Sequence, residues 1–488
     1  MKRLISIFLL FCSTLGFMGC SDFLDVEPRE DISITEQFST VEGAVQALNG
    51  AYLRTEVVLS DISFVYPDLQ GGNFSFAPRQ SGSSINAILP TPNIENTYNF
   101  NENAIESPFN GTYQNWYSVL NNINNIITRT PQIEGISEDE KNQILAEAYA
   151  LRGFAHYNLL QLFGQTRFFT PNGTHLGIVY ANRILVGGVD FEARKTVAEC
   201  YTLIQQDLDT ALSLFTNTQA MQGPSYSYFN VISTNALYAR VALQSGNYQK
   251  AISTASQVIN ESGISLMTKE AYLSEWAKPI LPVSEVILEF SAPFDTDDNV
   301  FTSSVSEYFN AFLDPSKTAR YCASFDLLSL FEESDIRREN FLGFDYDFNS
   351  TAGLQNRTFY FSKKFQDNPG TLSIRLSEMY LILAEAHARL NQTDLALLNL
   401  NSIRTRANLS SLTNTSGILD AIFLERRREL CFEGHLLYDI ARFGKNIART
   451  TDCVATVCSL TFPNPKFVLP IPQNSININQ FMIQNESY

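Results

Sequence analysis

Tryptophan is almost missing from this 488-residue sequence, with 2 copies against 36 phenylalanines and 21 tyrosines. Histidine is nearly as scarce, at 4 copies. No two histidines have the spacing of a helical zinc site, and no Gly-rich phosphate loop or nucleophile-elbow pattern occurs. Basic residues are outnumbered 34 to 51, a net charge of -17, which argues against nucleic acid or an anionic membrane surface as the main partner. Beyond the first 18 residues no apolar run is long enough to cross a bilayer as a helix. A hydrophobic content of 44% is too high for a disordered chain, and the length can bury a large core.

What is present begins with a leader. Lys2 and Arg3 precede an apolar stretch from Leu4 to Met18, then Gly19 and Cys20. A basic start, a short apolar core and a small residue before the cut describe an export signal over residues 1–19. Cleavage before Cys20 makes that cysteine the site of lipidation, although Phe17 stands where bacterial lipoboxes usually carry Leu. Loss of the leader leaves 51 acidic against 32 basic residues, or -19. Residues 20–40, starting with the acidic run Ser21 to Pro28, read as a lipidated tether. Of the remaining cysteines, Cys431 falls in a helical pattern as a small core residue. Cys453 and Cys458 bracket a four-residue segment that could close a hairpin, and an oxidising compartment permits a disulfide there. No histidines or further cysteine pairs complete a metal site around them.

Helices dominate the periodicity. Ala148, Leu151, Ala155, Leu159 and Leu162 recur three and four apart over 141–163, with Gly164 as a stop. A second helix is expected over Thr196–Phe215. Residues 235–260 read as a helix pair broken at Gly246-Asn247, a tetratricopeptide-like pattern, and 376–406 as an imperfect copy. His387 lies on the apolar stripe of the latter, as a satisfied core residue. The predicted fold is all-α, a scaffold of tetratricopeptide-like helix pairs with long loop insertions and minor β-hairpins. Two stretches, about 60–112 and 291–371, read as loops studded with Phe and Tyr. Loops this long in a compact protein are usually functional or disordered, and the aromatics argue against disorder. Trp116, in a helix, and Trp276, ahead of the buried-looking strand Val286-Ile287-Leu288, read as structural. The acidic run Asp295–Asn299 lacks the glycine and distal glutamate of an EF-hand and reads as solvated loop.

The most distinctive string runs from Glu425 to His435: Glu-Arg-Arg-Arg-Glu-Leu-Cys-Phe-Glu-Gly-His. Glu425 with Arg428, and Arg426 with Glu429, are three apart and can pair along a helix. The acids nearly cancel the arginines, so a partly buried structural helix is favoured over a basic binding patch.

This string, continued through Asp439 and Arg442-Phe443-Gly444, resembles the C-terminal signature of the SusD/RagB family of surface nutrient-binding lipoproteins of Bacteroidetes-type bacteria. The tail from Leu469 to Gln473, with Asn479, Gln484-Asn485 and Tyr488, resembles that family's ending. The start agrees, in Cys20 to Asp25, Pro28, Phe38 and Asn49-Gly50-Ala51-Tyr52. Trp116, Tyr117, Asn121, Ala146-Glu147-Ala148 and Arg152 are also similar. Departures are Cys431, where the family tends to have Ala, and Leu436-Leu437, where Arg and an aromatic are common. The resemblance implies a helical domain over 41–488, without covalent chemistry or a cofactor. It implies a SusC-like TonB-dependent transporter as partner, with this chain as its lid at the exterior face of the outer membrane, held by a lipid anchor. The ligand would be an oligosaccharide or a peptide, gripped by aromatic faces with Arg and Asn hydrogen bonds. Candidate ligand contacts in the two loop regions are Phe74, Phe76, Arg79, Tyr98, Tyr308 and Tyr346. The abundance of Phe keeps a peptide open as ligand. A secreted glycoside hydrolase, which needs two facing carboxylates, and a helical scaffold that binds only proteins are the alternatives from other classes.

Overall fold

The computed structural model describes residues 32–81, 84–88, 94–277, 283–290, 305, 308, 321–350, 352–365, 370–414, 416–451 and 453–488. The leader, Cys20 and the Asp295–Asn299 run lie outside that set. The described chain is helix-rich with a few small sheets. Its principal helices are Val41–Leu59 (α1), Asn110–Arg129 (α2), Glu138–Phe163 (α3), Val197–Leu214 (α4), Val231–Ser245 (α5), Tyr248–Glu261 (α6), Leu376–Arg389 (α7), Thr393–Arg406 (α8), Ile418–Glu429 (α9) and Leu436–Arg442 (α10).

Local chemistry sets the helix ends. Ser137 and Glu140 form a reciprocal capping box that starts α3 three residues earlier than the apolar stripe alone suggests. Thr196 and Glu199 do the same for α4. Helix α5 stops at Gly246, whose φ of 82° is cheap only for glycine, and α6 follows at once. Helix α5 packs on α6, α6 on α7, and α7 on α8. His387 is buried on α7 and its Nδ1 lies 2.6 Å from Gln392 Oε1.

Both tryptophans sit in the core. Trp116 on α2 meets Phe154 of α3 edge-on at 6.3 Å. Trp276 packs edge-on against Phe365 at 5.4 Å and lies under the Lys364 ammonium. The family-like tail is equally structural. Asn485 donates to the carbonyls of Phe163 and Leu469 and accepts from Arg194, which joins the chain end to α3.

The string from Glu425 is buried more deeply than its charge suggests: Glu425 and Glu429 have no exposed surface and Arg426 has 2%. Glu425 pairs with Arg428 at 2.8 Å, as the spacing predicts. Arg426 and Glu429 do not pair. Arg426 turns to Asp439 of α10 at 2.8 Å, while Glu429 is taken up by three arginines from other elements. Arg375 reaches Glu429 at 2.7 Å and Arg337 at 3.0 Å, and Arg406 completes the set. Glu285, Glu433, Asp335 and Lys364 extend the network. Burial alone would raise the Glu429 carboxyl; the converging cations win and hold it well below the usual carboxylate range. Burial likewise opposes the charge on Asp439, yet Arg426 and Arg442 hold it at about 2.

A buried ion cluster of this kind is destabilised most by removing one partner, because the remaining charges stay desolvated. Replacing Glu429 by Gln is therefore expected to cost about 3–5 kcal/mol, measured by urea denaturation at neutral pH. A loss below about 1 kcal/mol would mean that the cluster behaves like a surface salt bridge.

Candidate functional site

Much of the sequence read as loop is β-structure. The strands are Phe74–Phe76 (β1), Arg79–Ser81 (β2), Ser84–Ala87 (β3), Val286–Phe290 (β4), Tyr321–Ala323 (β5), Phe341–Ser350 (β6), Gly353–Ser362 (β7), Thr371–Arg375 (β8), Ile447–Ala448 (β9) and Ser459–Leu460 (β10). Strands β6 and β7 form a ten-residue antiparallel hairpin without a register slip. Leu342, Phe344, Tyr346 and Phe348 alternate with exposed Gly343, Asp345, Asp347 and Asn349. That two-residue period marks the hairpin in the sequence, although the stretch reads as loop by its composition.

The ribbon β1–β5 lies beneath the hairpin and has two faces. Phe74, Phe76, Tyr321 and Ala323 belong to the main helical core, whereas Ala77 and Cys322 pack with Phe359 and Phe361 of β7. This arrangement corrects three of the expected ligand contacts. Phe74, Phe76 and Tyr98 are 1–2% exposed. Phe74 stacks on Tyr321 at 5.8 Å and meets Phe432 edge-on at 4.4 Å. Phe76 meets Tyr98 edge-on at 4.9 Å. These rings cannot offer a face to a ligand; they are the floor under the site. Tyr308 is half-buried with its ring 6.2 Å from Tyr321. Arg79 is placed in β2, but its side chain is not among those described.

Tyr346 remains at the surface of the cluster. It is half-buried, T-shaped against Phe359 at 6.0 Å and Phe361 at 6.2 Å. Phe344 and Phe348 flank it two residues away on the same face, so the three rings form a ledge. Arg357 sits opposite Tyr346 in register, its guanidinium over Phe359 at 4.3 Å, Phe325 at 5.0 Å and Phe348 at 5.5 Å. Phe344, Phe348 and Arg357 were not singled out from sequence, although the alternation that carries Tyr346 carries them too. On the outer face Asp345 accepts from Thr358 and Asp347 from Asn356, across the strands.

A neighbouring wall comes from the C-terminal region. Cys453 and Cys458 are joined as a disulfide with Cα atoms 5.9 Å apart. Arg449 holds this loop by donating to the Val457 carbonyl at 2.6 Å and to that of Tyr98 at 2.8 Å. Its guanidinium lies 4.0 Å from the Tyr98 ring centre and 4.6 Å from that of Phe100, and burial pulls it down to about 10. Tyr98 thus grips Arg449. Among the described residues no group of three or more His, Cys, Asp or Glu side chains could hold a metal ion.

A helix-rich scaffold carrying a few small sheets matches the SusD superfamily structures. A structure from Bacteroides thetaiotaomicron aligns with a TM-score of 0.77 at 25% identity, over 91% of this chain and 99% of that one. A SusD-like carbohydrate-binding protein from Bacteroides vulgatus shares the fold with a TM-score of 0.72 at 19% identity, over 91% of this chain and 97% of that one. The SusD family model matches residues 346–488, and the model described as starch-binding associating with outer membrane matches residues 22–243. A SusD-like protein of Formosa agariphila is 22% identical over 99% of this chain and 98% of its own length. Another, from Bacteroides ovatus, is 24% identical over 88% of this chain and 80% of its own. The chain belongs to the SusD family.

The division between floor and ledge has a direct test. Phe74→Ala empties a core position and is expected to cost about 3–5 kcal/mol, whereas Tyr346→Ala is expected to cost less than about 2 kcal/mol. Urea denaturation of both variants measures this, and equal losses would place Tyr346 in the floor.

Proposed function

We propose that this chain is a cell-surface lipoprotein, acylated on Cys20, that captures an oligosaccharide on the ledge of Phe344, Tyr346 and Phe348. It hands the ligand to a SusC-like TonB-dependent transporter of the outer membrane, over which it acts as a lid. The observation that carries this reading is the row of half-exposed rings on a strand whose hairpin is fixed at both ends. Rings so held stack on the apolar faces of sugar rings with little ordering cost. Membership of a family with a starch-binding, outer-membrane-associated model supports the same reading. Two of the three ledge rings are Phe, which lacks a hydroxyl, so a peptide is the second reading.

Titration calorimetry against a panel of oligosaccharides and peptides tests both. Tyr346→Ala and Phe348→Ala are each expected to weaken the ligand that binds by about tenfold or more, with the fold retained by circular dichroism. Unchanged affinity in both variants sinks the ledge as the site, and release of shortened products would replace capture with hydrolysis. For the anchor, two or three acyl chains at about 0.8 kcal/mol per buried methylene hold a protein stably without a spanning helix. Cys20→Ala is expected to abolish incorporation of labelled palmitate in a native host and to release the protein from the membrane fraction. Persisting label would reassign the site of lipidation.

A further inference from the structure

Among the helices and beside strand β4 lies an open cavity of about 720 Å³. It is bounded by α3, the end of α4, residues 215–230, the start of α5, the segment after α6 and strand β4, and it shares no lining residue with the ledge. Its volume falls within the range of small-molecule sites, about 300–1,000 Å³.

The lining is selective in its chemistry. Tyr226, Tyr228 and Phe215 supply aromatic surface, and Gln143, Gln219 and Asn230 supply amides. Serine and threonine hydroxyls share the remainder with valine and isoleucine side chains, and among the described residues no acidic, basic or histidine side chain lines the cavity. In a chain with a net charge of -17, such a lining discriminates against anions, which would find no counter-charge among the described lining residues to offset their desolvation. It suits a ligand with many hydroxyls and apolar ring faces, since amides donate and accept with equal ease.

The cavity is also held open from behind. Gln143 accepts from the Thr216 backbone N–H at 3.2 Å and donates to Glu147 at 3.0 Å. Glu147 accepts from the Tyr52 hydroxyl at 2.9 Å, and that hydroxyl accepts from the Phe229 N–H at 2.8 Å. One buried relay therefore pins both ends of the 216–229 wall. At the mouth, Gln219 donates to the Tyr228 hydroxyl at 2.9 Å. Among the described residues no group accepts the Tyr228 hydroxyl proton or donates to the Gln219 carbonyl, so the pair presents one donor and one acceptor side by side.

We infer that this cavity is a second, independent binding site for a short uncharged saccharide. The inference rests on the lining of the cavity and stands apart from the ledge. The test uses the full-length mature chain with Tyr346→Ala and Phe348→Ala together, so that the ledge is disabled. Linear hexaoses of glucose, mannose, xylose and galactose are the probes, each read by native mass spectrometry and calorimetry beside an oligogalacturonate. At least one neutral hexaose is expected to bind this ledge-disabled protein with one equivalent, and the oligogalacturonate is not. Gln219→Ala, at an exposed position, and Tyr226→Ala, at a half-buried one, are each expected to weaken that binding by about tenfold, with thermal unfolding unchanged for Gln219→Ala. Two results overturn the inference: no neutral probe binds once the ledge is disabled, or a probe binds and neither cavity substitution weakens it. Wild-type protein that binds a single equivalent, lost with the ledge, removes this site and leaves the proposed function intact. Absence of saccharide binding by the wild type removes both.

Discussion

A carboxylate with no exposed surface, Glu429, meets Arg337, Arg375 and Arg406 in the interior. Charges taken out of water are tolerated only when their partners are close and correctly oriented. Satisfying this one therefore fixes the segments that carry those partners. Arg337 precedes β6, Arg375 ends β8, Arg406 ends α8 and Glu429 itself ends α9. Four stretches of chain far apart in sequence are brought into a single arrangement by one carboxylate.

The candidate site inherits its rigidity from that constraint. The β6–β7 hairpin leaves the core just after Arg337 and returns at Lys364, whose ammonium contacts the carbonyls of Glu429 and Cys431 and the Glu433 carboxylate. Both ends of the hairpin are thereby tied into the network. Below it, the β1–β5 ribbon turns Phe74 and Phe76 inward and Ala77 and Cys322 outward. The ledge of Phe344, Tyr346 and Phe348 rests on this layered support. Gly434 closes the arrangement: with φ at 75° its N–H points to Asp68 at 2.7 Å, which joins the end of the charged string to the segment leading into β1.

The ledge and the cavity use polarity differently. At the ledge, aromatic rings are combined with a guanidinium. In the cavity beside α5, rings are combined with amides and hydroxyls, and the single carboxylate in the relay, Glu147, stays behind the wall. Burial raises that carboxyl to about 7, with the hydrogen bonds from Gln143 and Tyr52 opposing the rise.

The sequence by itself determined the main helices, to within a few residues at their ends, and the family. Three-four periodicity, capping boxes and glycine stops are local, so α3 to α8 are legible without a structure. The string at Glu425 and the tail through Tyr488 are long enough to be distinctive. Which rings stay at the surface was not legible, because Phe74, Phe76, Tyr98 and Tyr346 sit in equally aromatic, equally polar surroundings in the chain. Only tertiary packing separates them: Tyr321 and Arg449, distant in sequence, cover the first three, while nothing described covers Tyr346 to the same depth. The partners of Arg426 and Glu429 were hidden for the same reason. Helical spacing makes an i,i+3 pair available, but a buried charge takes whichever partner removes the most desolvation penalty, and that partner came from another part of the chain.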